Sequence, residues 1–228
     1  AWFWEPVKLN KIVRKYNPKT MINPRSGWEG DFYCDEGSHE MKGNIIPVPW
    51  EKNMCICSGS SWGWMENDPV SSFEWLIKML VDVVCRDGNL LLNVGPDKNG
   101  KLSKEVTDRV REIGDWLRKY GESIYGTRGG PIQPSDNVYG TTYKNDTIYL
   151  HVLDTQKFMD VTLPSISENI IACTTFNGEK CEYRQNKEGI KIRLPKEREN
   201  EVDTILKLKL DKEHQQPKEQ EIYFTGKE

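Results

Sequence analysis

The stretch SSFEWLIKMLVDVVCRDGNLLLNVGP, residues 71–96, decides the fold of this chain. Asp87-Gly88 is typical of a helix end, and the continuous apolar run at residues 89–94 predicts a strand buried on both faces. A helix followed at once by a buried strand indicates parallel α/β architecture. The helix is predicted over residues 71–85, where apolar side chains recur at helical spacing: Phe73, Leu76, Ile77, Leu80, Val81 and Val84.

The flanking segments extend this pattern. Residues 6–16 and 103–119 carry apolar side chains at helical spacing, and residues 20–23 and 52–57 are predicted strands. Alternating helices and strands predict an α/β barrel or an open α/β sheet over residues 1–127. Because a complete barrel needs eight strands and about 250 residues, three predicted strands account for only part of one.

The pattern changes in residues 128–228. Residues 129–131 and 134–136 are predicted to form a linker. Residues 206–210 alternate strictly between Leu and Lys, which predicts one buried and one exposed face. We therefore predict a second, all-β domain, a β-sandwich. Its predicted strands are 147–153, 159–163, 170–176, 181–185, 189–194 and 204–210, with a last one at 222–224.

The composition excludes several classes of function. The 228 residues carry 32 Lys and Arg against 35 Asp and Glu. Without a basic patch we predict no nucleic-acid partner, and without a run of about 18 apolar residues we predict no membrane-spanning segment. The three histidines are isolated and the six cysteines lack zinc-site spacing, so we predict no metal and no cofactor.

Six of the eight tryptophans fall in the first third of the chain, and Asp31, Asp35 and Glu36 form an acidic cluster beside Arg25 and Trp28. Glycoside hydrolysis uses two carboxylates, one to protonate the leaving oxygen and one to attack C1 or activate water. Asp31, Asp35 and Glu36 are candidates, solvated surface carboxylates being the alternative. Indoles stack on sugar faces, core packing being the alternative; the candidate indoles are those of Trp2, Trp4, Trp28, Trp50, Trp62 and Trp64.

Four motifs occur in order: GDFYCDE (30–36), SSWGW (60–64), GNLLLNVGP (88–96) and GESIYGT (121–127). Together they resemble the α-L-fucosidases of glycoside hydrolase family 29. The resemblance implies the C-terminal half of a (β/α)8 TIM-like barrel over residues 1–127, followed by a β-sandwich accessory domain over 128–228. It also implies an exo-acting retaining hydrolase that releases α-L-fucose from fucosylated oligosaccharides or glycoconjugates by double displacement.

The resemblance implies roles for individual residues. Glu36 corresponds to the general acid/base, with Asp35 as the fallback, and Arg25 to a residue that contacts sugar hydroxyls or the catalytic carboxylates. Trp50, Trp62 and Trp64 are implied to bind substrate, Trp62 by forming a wall of the fucose pocket. Asn93 is expected near the rim of the barrel, in a motif that we interpret as core strand.

The sequence departs from the family at one point. The family's nucleophile is an Asp in a W-x-D-G pattern at the end of the fourth strand, and no such pattern occurs here. Ala1 resembles the position just after it, so we expect a fragment without its nucleophile; Glu5 in Trp2–Glu5 is the alternative nucleophile. A half barrel has a bare strand edge, so we expect it to pair with the missing half or to form a homo-oligomer.

Two other functions remain open at this point. One is a non-catalytic carbohydrate-binding or structural remnant of such an enzyme, and the other is a different retaining glycosidase. Members of the family are often secreted, periplasmic or lysosomal, and nothing in these residues indicates a location for this chain.

Overall fold

The computed structural model describes residues 2–28, 30–37, 39–59, 62–195 and 202–215. The predicted strand at 222–224 and the two serines of the SSWGW motif lie outside these ranges. Within them, no helix is both long and apolar enough to cross a lipid bilayer.

The first part of the chain is a layer of parallel strands covered by helices. Its described residues form a three-stranded sheet in the order β1-β2-β3, with both pairs parallel. Ser72 and Ser103 accept hydrogen bonds from the backbone N–H of Trp75 and Val106 and so cap the second and third helices. The elements are α1 (Pro6–Tyr16), β1 (Tyr33–Glu36), β2 (Trp50–Cys55), α2 (Phe73–Cys85), β3 (Asn89–Asn93) and α3 (Lys104–Tyr120).

These elements confirm the three predicted helices and two of the three predicted strands. Residues 20–23 do not form a strand; they lead into a short 3-10 turn at Pro24–Ser26, and the strand follows at Tyr33–Glu36. The prediction that β3 is buried on both faces is wrong, since Leu91 is 45% exposed. The reason is that β3 is an edge strand, and the described helices cover the sheet on one side only.

The two faces of this sheet differ in chemistry. Side chains alternate along each strand, and Trp50, Met54 and Leu92 point toward Leu76 and other residues of the helical layer. The opposite face, here called the open face, is largely polar and partly exposed; it carries Cys34, Glu36, Glu51, Asn53, Asn89, Leu91 and Asn93.

The second part is antiparallel. Its described strands form a five-stranded sheet in the order β4-β5-β6-β10-β7 and a separate β8-β9 hairpin. The predicted strand at 159–163 is wrong, because a short helix, α4 (Thr155–Phe158), precedes an irregular segment there. The strands are β4 (Arg128–Gly129), β5 (Tyr139–Lys144), β6 (Thr147–Val152), β7 (Ile170–Thr175), β8 (Tyr183–Asn186), β9 (Gly189–Ile192) and β10 (Thr204–Leu210).

Both faces of the five-stranded sheet are packed. One face, with Leu150 and Leu206, packs against Ile190 of the hairpin and against Leu163 beside it. The other face packs against helices α2 and α3, in a cluster formed by Ile77, Val81, Cys85, Trp116, Tyr120, Ile124, Tyr149, Leu153 and Ile205. The parallel strands end with β3 and the antiparallel strands begin with β4, but the two parts share a core, and the division into two domains at residues 127–128 stays a prediction.

Candidate active site

The carboxyl ends of the three parallel strands meet at one edge of the sheet. Strand β1 ends at Glu36, β2 at Cys55 and β3 at Asn93. In parallel α/β proteins, ligands bind at this edge because the loops that follow the strands converge there. We therefore place the candidate site at this edge of the sheet.

Glu36 and Arg25 form an ion pair at this edge. The Arg25 guanidinium donates a hydrogen bond to Oε2 of Glu36, and this bond is the main cause that raises the pKa of Arg25 above its ordinary value. The side chains of Arg25 and Glu36 are 48% and 40% exposed. Solvent reaches both groups, so a ligand can reach them as well.

The loop between α1 and β1 positions Arg25. Asn23 Oδ1 accepts a hydrogen bond from the Arg25 backbone N–H at 3.2 Å, which begins the 3-10 turn. Asp31 closes the loop by accepting from the Arg14 guanidinium at 2.5 Å and from the Ile22 N–H at 2.6 Å. Burial opposes ionisation of Asp31, but these hydrogen bonds and the Arg14 charge outweigh it and lower its pKa. Asp31 thus has a structural role in this loop.

The tryptophan segment, residues 62–64, lies beside the ends of β2 and β3. Asn93 Nδ2 donates to the backbone oxygen of Trp62 at 2.9 Å. A Cβ on Gly95 would lie 2.7 Å from the backbone N of Trp64, so only glycine permits this approach. The indoles of Trp62 and Trp64 are 44% and 49% exposed. The NLLLNVGP motif, expected to be core strand alone, therefore also fixes two exposed aromatic side chains.

Residues 2–122, more than half of the chain, match the family model described as Alpha-L-fucosidase. The chain belongs to the alpha-L-fucosidase family. This alpha-L-fucosidase-family chain is 31% identical over 207 residues to the tissue alpha-L-fucosidase of Mus musculus. The match covers 86% of this chain and 44% of the mouse protein.

Two solved alpha-L-fucosidase structures are similar to it. Isoenzyme 1 from Paenibacillus thiaminolyticus aligns with a TM-score of 0.78 at 24% identity, over 92% of this chain and 55% of that one. The Thermotoga maritima alpha-fucosidase in complex with fucose aligns with a TM-score of 0.67 at 25% identity, over 86% and 46%. The family member described here thus spans about half the length of the relatives that it matches.

Asp35, the fallback acid, lies on the opposite face of β1 from Glu36. Its Oδ2 accepts a hydrogen bond at 2.6 Å from Nζ of Lys52, whose side chain is fully buried. His39 Nε2 lies 3.2 Å from the same oxygen. Because its carboxylate points away from the open face and is held by an ammonium group, Asp35 is poorly placed to protonate a leaving group there.

Trp50 was expected to bind substrate, but its position in the structure does not allow this contact. It begins β2, at the amino end of the sheet, and is 1% exposed. Its indole N–H donates to the backbone oxygen of Arg86 at 3.0 Å, and a Cβ on Gly88 would lie 2.3 Å from the indole ring. This alpha-L-fucosidase-family chain therefore uses Trp50 in the core, at the edge opposite Glu36.

Glu51 is a further carboxylate of the open face for which no role was predicted; it lies beside Trp50 near the amino end of β2, not at the edge that carries Glu36. It pairs in register with Cys34 on the open face, and burial and the Glu51 charge are the main causes that raise the pKa of the Cys34 thiol. Its place on the open face could have been predicted from the sequence, because Glu51 alternates with Trp50 and Lys52, which are buried on the other face. In the part of this chain that the structure describes, no three His, Cys, Asp or Glu side chains cluster to hold a metal ion.

Proposed function

We propose that Glu36 is the general acid/base of a retaining glycoside hydrolase that removes terminal α-L-fucose from fucosylated glycans. One observation carries the proposal: an exposed carboxylate at the carboxyl end of a parallel strand, paired with Arg25 on the open face. In this reaction Glu36 protonates the departing glycosidic oxygen and then takes a proton from the incoming water. Membership of the alpha-L-fucosidase family is the reason for proposing α-L-fucose as the sugar and its glycosidic bond as the bond that is cleaved.

Arg25 and the tryptophan segment complete the proposed site. Arg25 holds Glu36 in the free protein, and in the complex its guanidinium can donate to sugar hydroxyls instead. Trp62 offers an indole face for the apolar side of the fucose ring. Support for both roles comes from their exposure and from their position at the same edge of the sheet.

The nucleophile of double displacement is proposed to lie outside these 228 residues. Retaining enzymes hold their two carboxyl groups about 5 Å apart, so the nucleophile must approach Glu36 across the open face. Glu5, the alternative nucleophile, is exposed and pairs with Lys8 at 3.0 Å, one turn into α1. We therefore propose that these residues form half of a complete site.

The test compares Glu36→Gln with Glu51→Gln in a protein that supplies the rest of the barrel. Glu51 is the matched control because it is a carboxylate on the same face. We expect Glu36→Gln to slow release of an alkyl fucoside by about 100-fold or more but to slow an aryl fucoside with a good leaving group far less. Azide should restore turnover of the aryl fucoside by replacing the base-assisted water.

Two results would contradict the proposed role of Glu36. Equal slowing of both fucosides would exclude the acid role, and a Glu51→Gln variant that reproduces the Glu36→Gln profile would move the role to Glu51. The second candidate function is a non-catalytic carbohydrate-binding remnant, favoured by the two exposed indoles. Binding of fucosides without turnover in the completed barrel would support it.

A further inference from the structure

Two cysteines of the antiparallel part lie opposite each other across a tight turn. Cys173 is on β7, and Cys181 is two residues before β8. The Cys181 N–H donates to the backbone oxygen of Cys173 at 2.9 Å, and the next residues inward, Thr174 and Lys180, form an antiparallel β-bridge. Residues paired in this way carry their side chains on the same side. Their Cα atoms are about 5.5 Å apart, which matches the usual Cα separation across a disulfide.

The two thiols are in contact but differ in exposure. Both are free thiols in the structure. Cys173 is 4% exposed and belongs to the apolar core of this part, whereas Cys181 is half-buried and packs against that core. Burial, followed by the charge and the hydrogen bond of Cys181, raises the pKa of Cys173 to about 12. A reagent in solution therefore reaches Cys181 first, and Cys173 is the neighbour placed to react next.

The turn between the cysteines holds their backbones at this separation. The Thr175 N–H donates to the backbone oxygen of Glu179 at 2.7 Å, and the Glu179 N–H donates to Thr175 Oγ1 at 3.1 Å. Gly178 supplies the left-handed position of the turn, with φ of 94°. Because the turn is already closed in the folded chain, joining the two sulfurs costs little further conformational entropy.

We propose that Cys173 and Cys181 are a redox site that closes to a disulfide when the folded chain meets a small disulfide oxidant of the glutathione class. The Cys181 thiolate attacks one sulfur of oxidised glutathione and displaces the first glutathione thiolate. The Cys173 thiol then loses its proton and attacks the Cys181 sulfur, which displaces the second. The two cysteines give up two electrons and two protons, and one glutathione disulfide becomes two glutathione thiols. An excess of reduced glutathione reverses both steps.

The disulfide ties the β8–β9 hairpin to the five-stranded sheet. In the reduced chain, hydrogen bonds hold β8 beside β7: the Tyr183 hydroxyl donates to the backbone oxygen of Ile170 at 2.8 Å, and the Ile170 N–H donates to Gln185 Oε1 at 2.8 Å. A covalent link between the same two strands also restricts the unfolded chain and so stabilises the fold. The site thus makes the stability of this part depend on the redox state of the surroundings.

The experiment incubates the full, folded chain with oxidised glutathione, blocks the remaining thiols with iodoacetamide and maps the tryptic peptides by mass spectrometry. Cleavage after Lys180 places the two cysteines on different peptides, residues 158–180 and 181–184. We expect one species in which a disulfide joins these two peptides and which dithiothreitol separates. We also expect the oxidised chain to unfold at a higher urea concentration than the reduced chain.

Two variants serve as controls under the same treatment. Cys181→Ser removes one sulfur with little change in volume, so it should give no linked species and no rise in the urea midpoint. Cys57→Ser should behave like the parent, because Cys57 is also half-buried but lies in the parallel part, where its bridge partner is Val70.

Three results overturn the proposal. These are peptides 158–180 and 181–184 that remain separate after oxidation, a glutathione mixed disulfide that persists on Cys181, and linkage of either residue to another cysteine of the chain. A rise in the urea midpoint that Cys181→Ser shares would show that the stabilisation has another cause. The readouts are a covalent link and unfolding, so their outcome does not bear on the hydrolase proposal, which the Glu36→Gln kinetics judge separately.

Discussion

At the scale of single residues, the ammonium group of Lys52 is a charge buried inside the sheet, and it is costly to bury without a partner. Its side chain is fully buried, and Asp35 Oδ2 is its closest charged partner at 2.6 Å. A buried ion pair is costly to break because the remaining charge has no water to replace its partner. This pair anchors the strand whose last residue is Glu36.

We predict that Asp35→Asn lowers the free energy of unfolding by about 3 kcal/mol, the cost of leaving a buried charge unpaired. Replacing both partners, as in Lys52→Met with Asp35→Leu, should recover most of this loss. Urea unfolding followed by circular dichroism measures both effects. Asp115→Asn, which removes an exposed partner of Arg118, is the control and should leave the midpoint unchanged. An Asp35→Asn midpoint equal to that control would contradict the prediction.

A second residue-scale prediction concerns Gly95. Its Cβ would lie 2.7 Å from both Gly63 C and Trp64 N, so Gly95→Ala must displace the tryptophan segment. We expect a loss of about 1 to 3 kcal/mol, as for other overpacked sites, together with changed tryptophan fluorescence. A Cβ on Gly63 meets nothing within 4 Å, so Gly63→Ala should preserve the emission spectrum. Identical spectra for the two variants would show that the segment is not held at Gly95.

At the scale of elements, one polar network ties a short turn to two strands. Glu122, in the 3-10 turn after α3, accepts hydrogen bonds from Lys207 of β10 at 2.9 Å and from Tyr149 of β6 at 2.7 Å. The bond from Lys207, followed by that from Tyr149, lowers the pKa of Glu122 below its ordinary value of 4.5. The same contact, after burial, raises the pKa of Tyr149.

The lowered pKa of Glu122 gives a pH dependence with a definite sign. A carboxyl with a lower pKa in the folded state stabilises the fold above its unfolded pKa, and this contribution is lost as the pH falls through the folded value. Glu122→Gln should therefore be less stable than the parent at neutral pH, and the difference should shrink toward about pH 3. Urea unfolding across this range measures it. A difference that stays constant with pH would mean that ionisation of Glu122 is not the cause.

Whether an element could be predicted from the sequence depends on whether its buried side chains are apolar or polar. Helices α2 and α3 and strand β10 carry periodic apolar side chains, and the sequence locates all three. Strand β5 was missed because its centre is polar: Thr141 and Thr142 are fully buried and bonded to the backbone of Ile132 and Ser123. Such burial leaves no apolar alternation in the sequence.

The candidate site shows the same limit. The motifs led to Glu36 and Arg25, which the structure joins in one ion pair. Trp50 begins strand β2 and is buried, whereas Trp62 follows that strand and is exposed. The two residues are of the same type, so only the positions of the strand ends distinguish them. The roles of Asn93 and Gly95 depend on contacts between segments about 30 residues apart, which spacing alone does not reveal.

At the scale of the whole molecule, the two parts of the chain are joined by buried polar groups as well as by a shared apolar cluster. Within the antiparallel part, Nδ1 of His151 on β6 lies 2.6 Å from Oδ2 of Asp203, which directly precedes β10, and both side chains are fully buried. Arg86, also buried, pairs with Asp136 at 2.7 Å, and Arg128 pairs with Asp87. The Arg86 and Arg128 pairs connect the turn after α2 to the antiparallel part of the chain.

We predict that Asp203→Asn destabilises both parts together, by about 1 to 3 kcal/mol, because it disturbs a buried hydrogen-bonding pair next to Tyr149 and Ile205 of the shared apolar cluster. Hydrogen exchange of backbone amides should show faster opening in α2 as well as in β6. Asp211→Asn, which removes an exposed acceptor of Asn169, is the control and should affect neither element. Loss of protection confined to β6 would show that the parts unfold independently.

The alternation of Asp35 and Glu36 along β1 has a consequence for insertions and deletions. If removal of one residue before the strand let β1 slip by one position, each side chain would move to the other side of the sheet. Glu36 would then lie opposite Lys52, and Asp35 would move to the open-face position that Cys34 holds opposite Glu51. The open-face position at the end of β1 would lose its carboxylate with no change in either acid. The number of residues between Gly30 and Glu36 thus determines which side chain reaches the open face at the end of β1. A single-residue deletion in this segment should therefore lower activity as much as a replacement of Glu36 does.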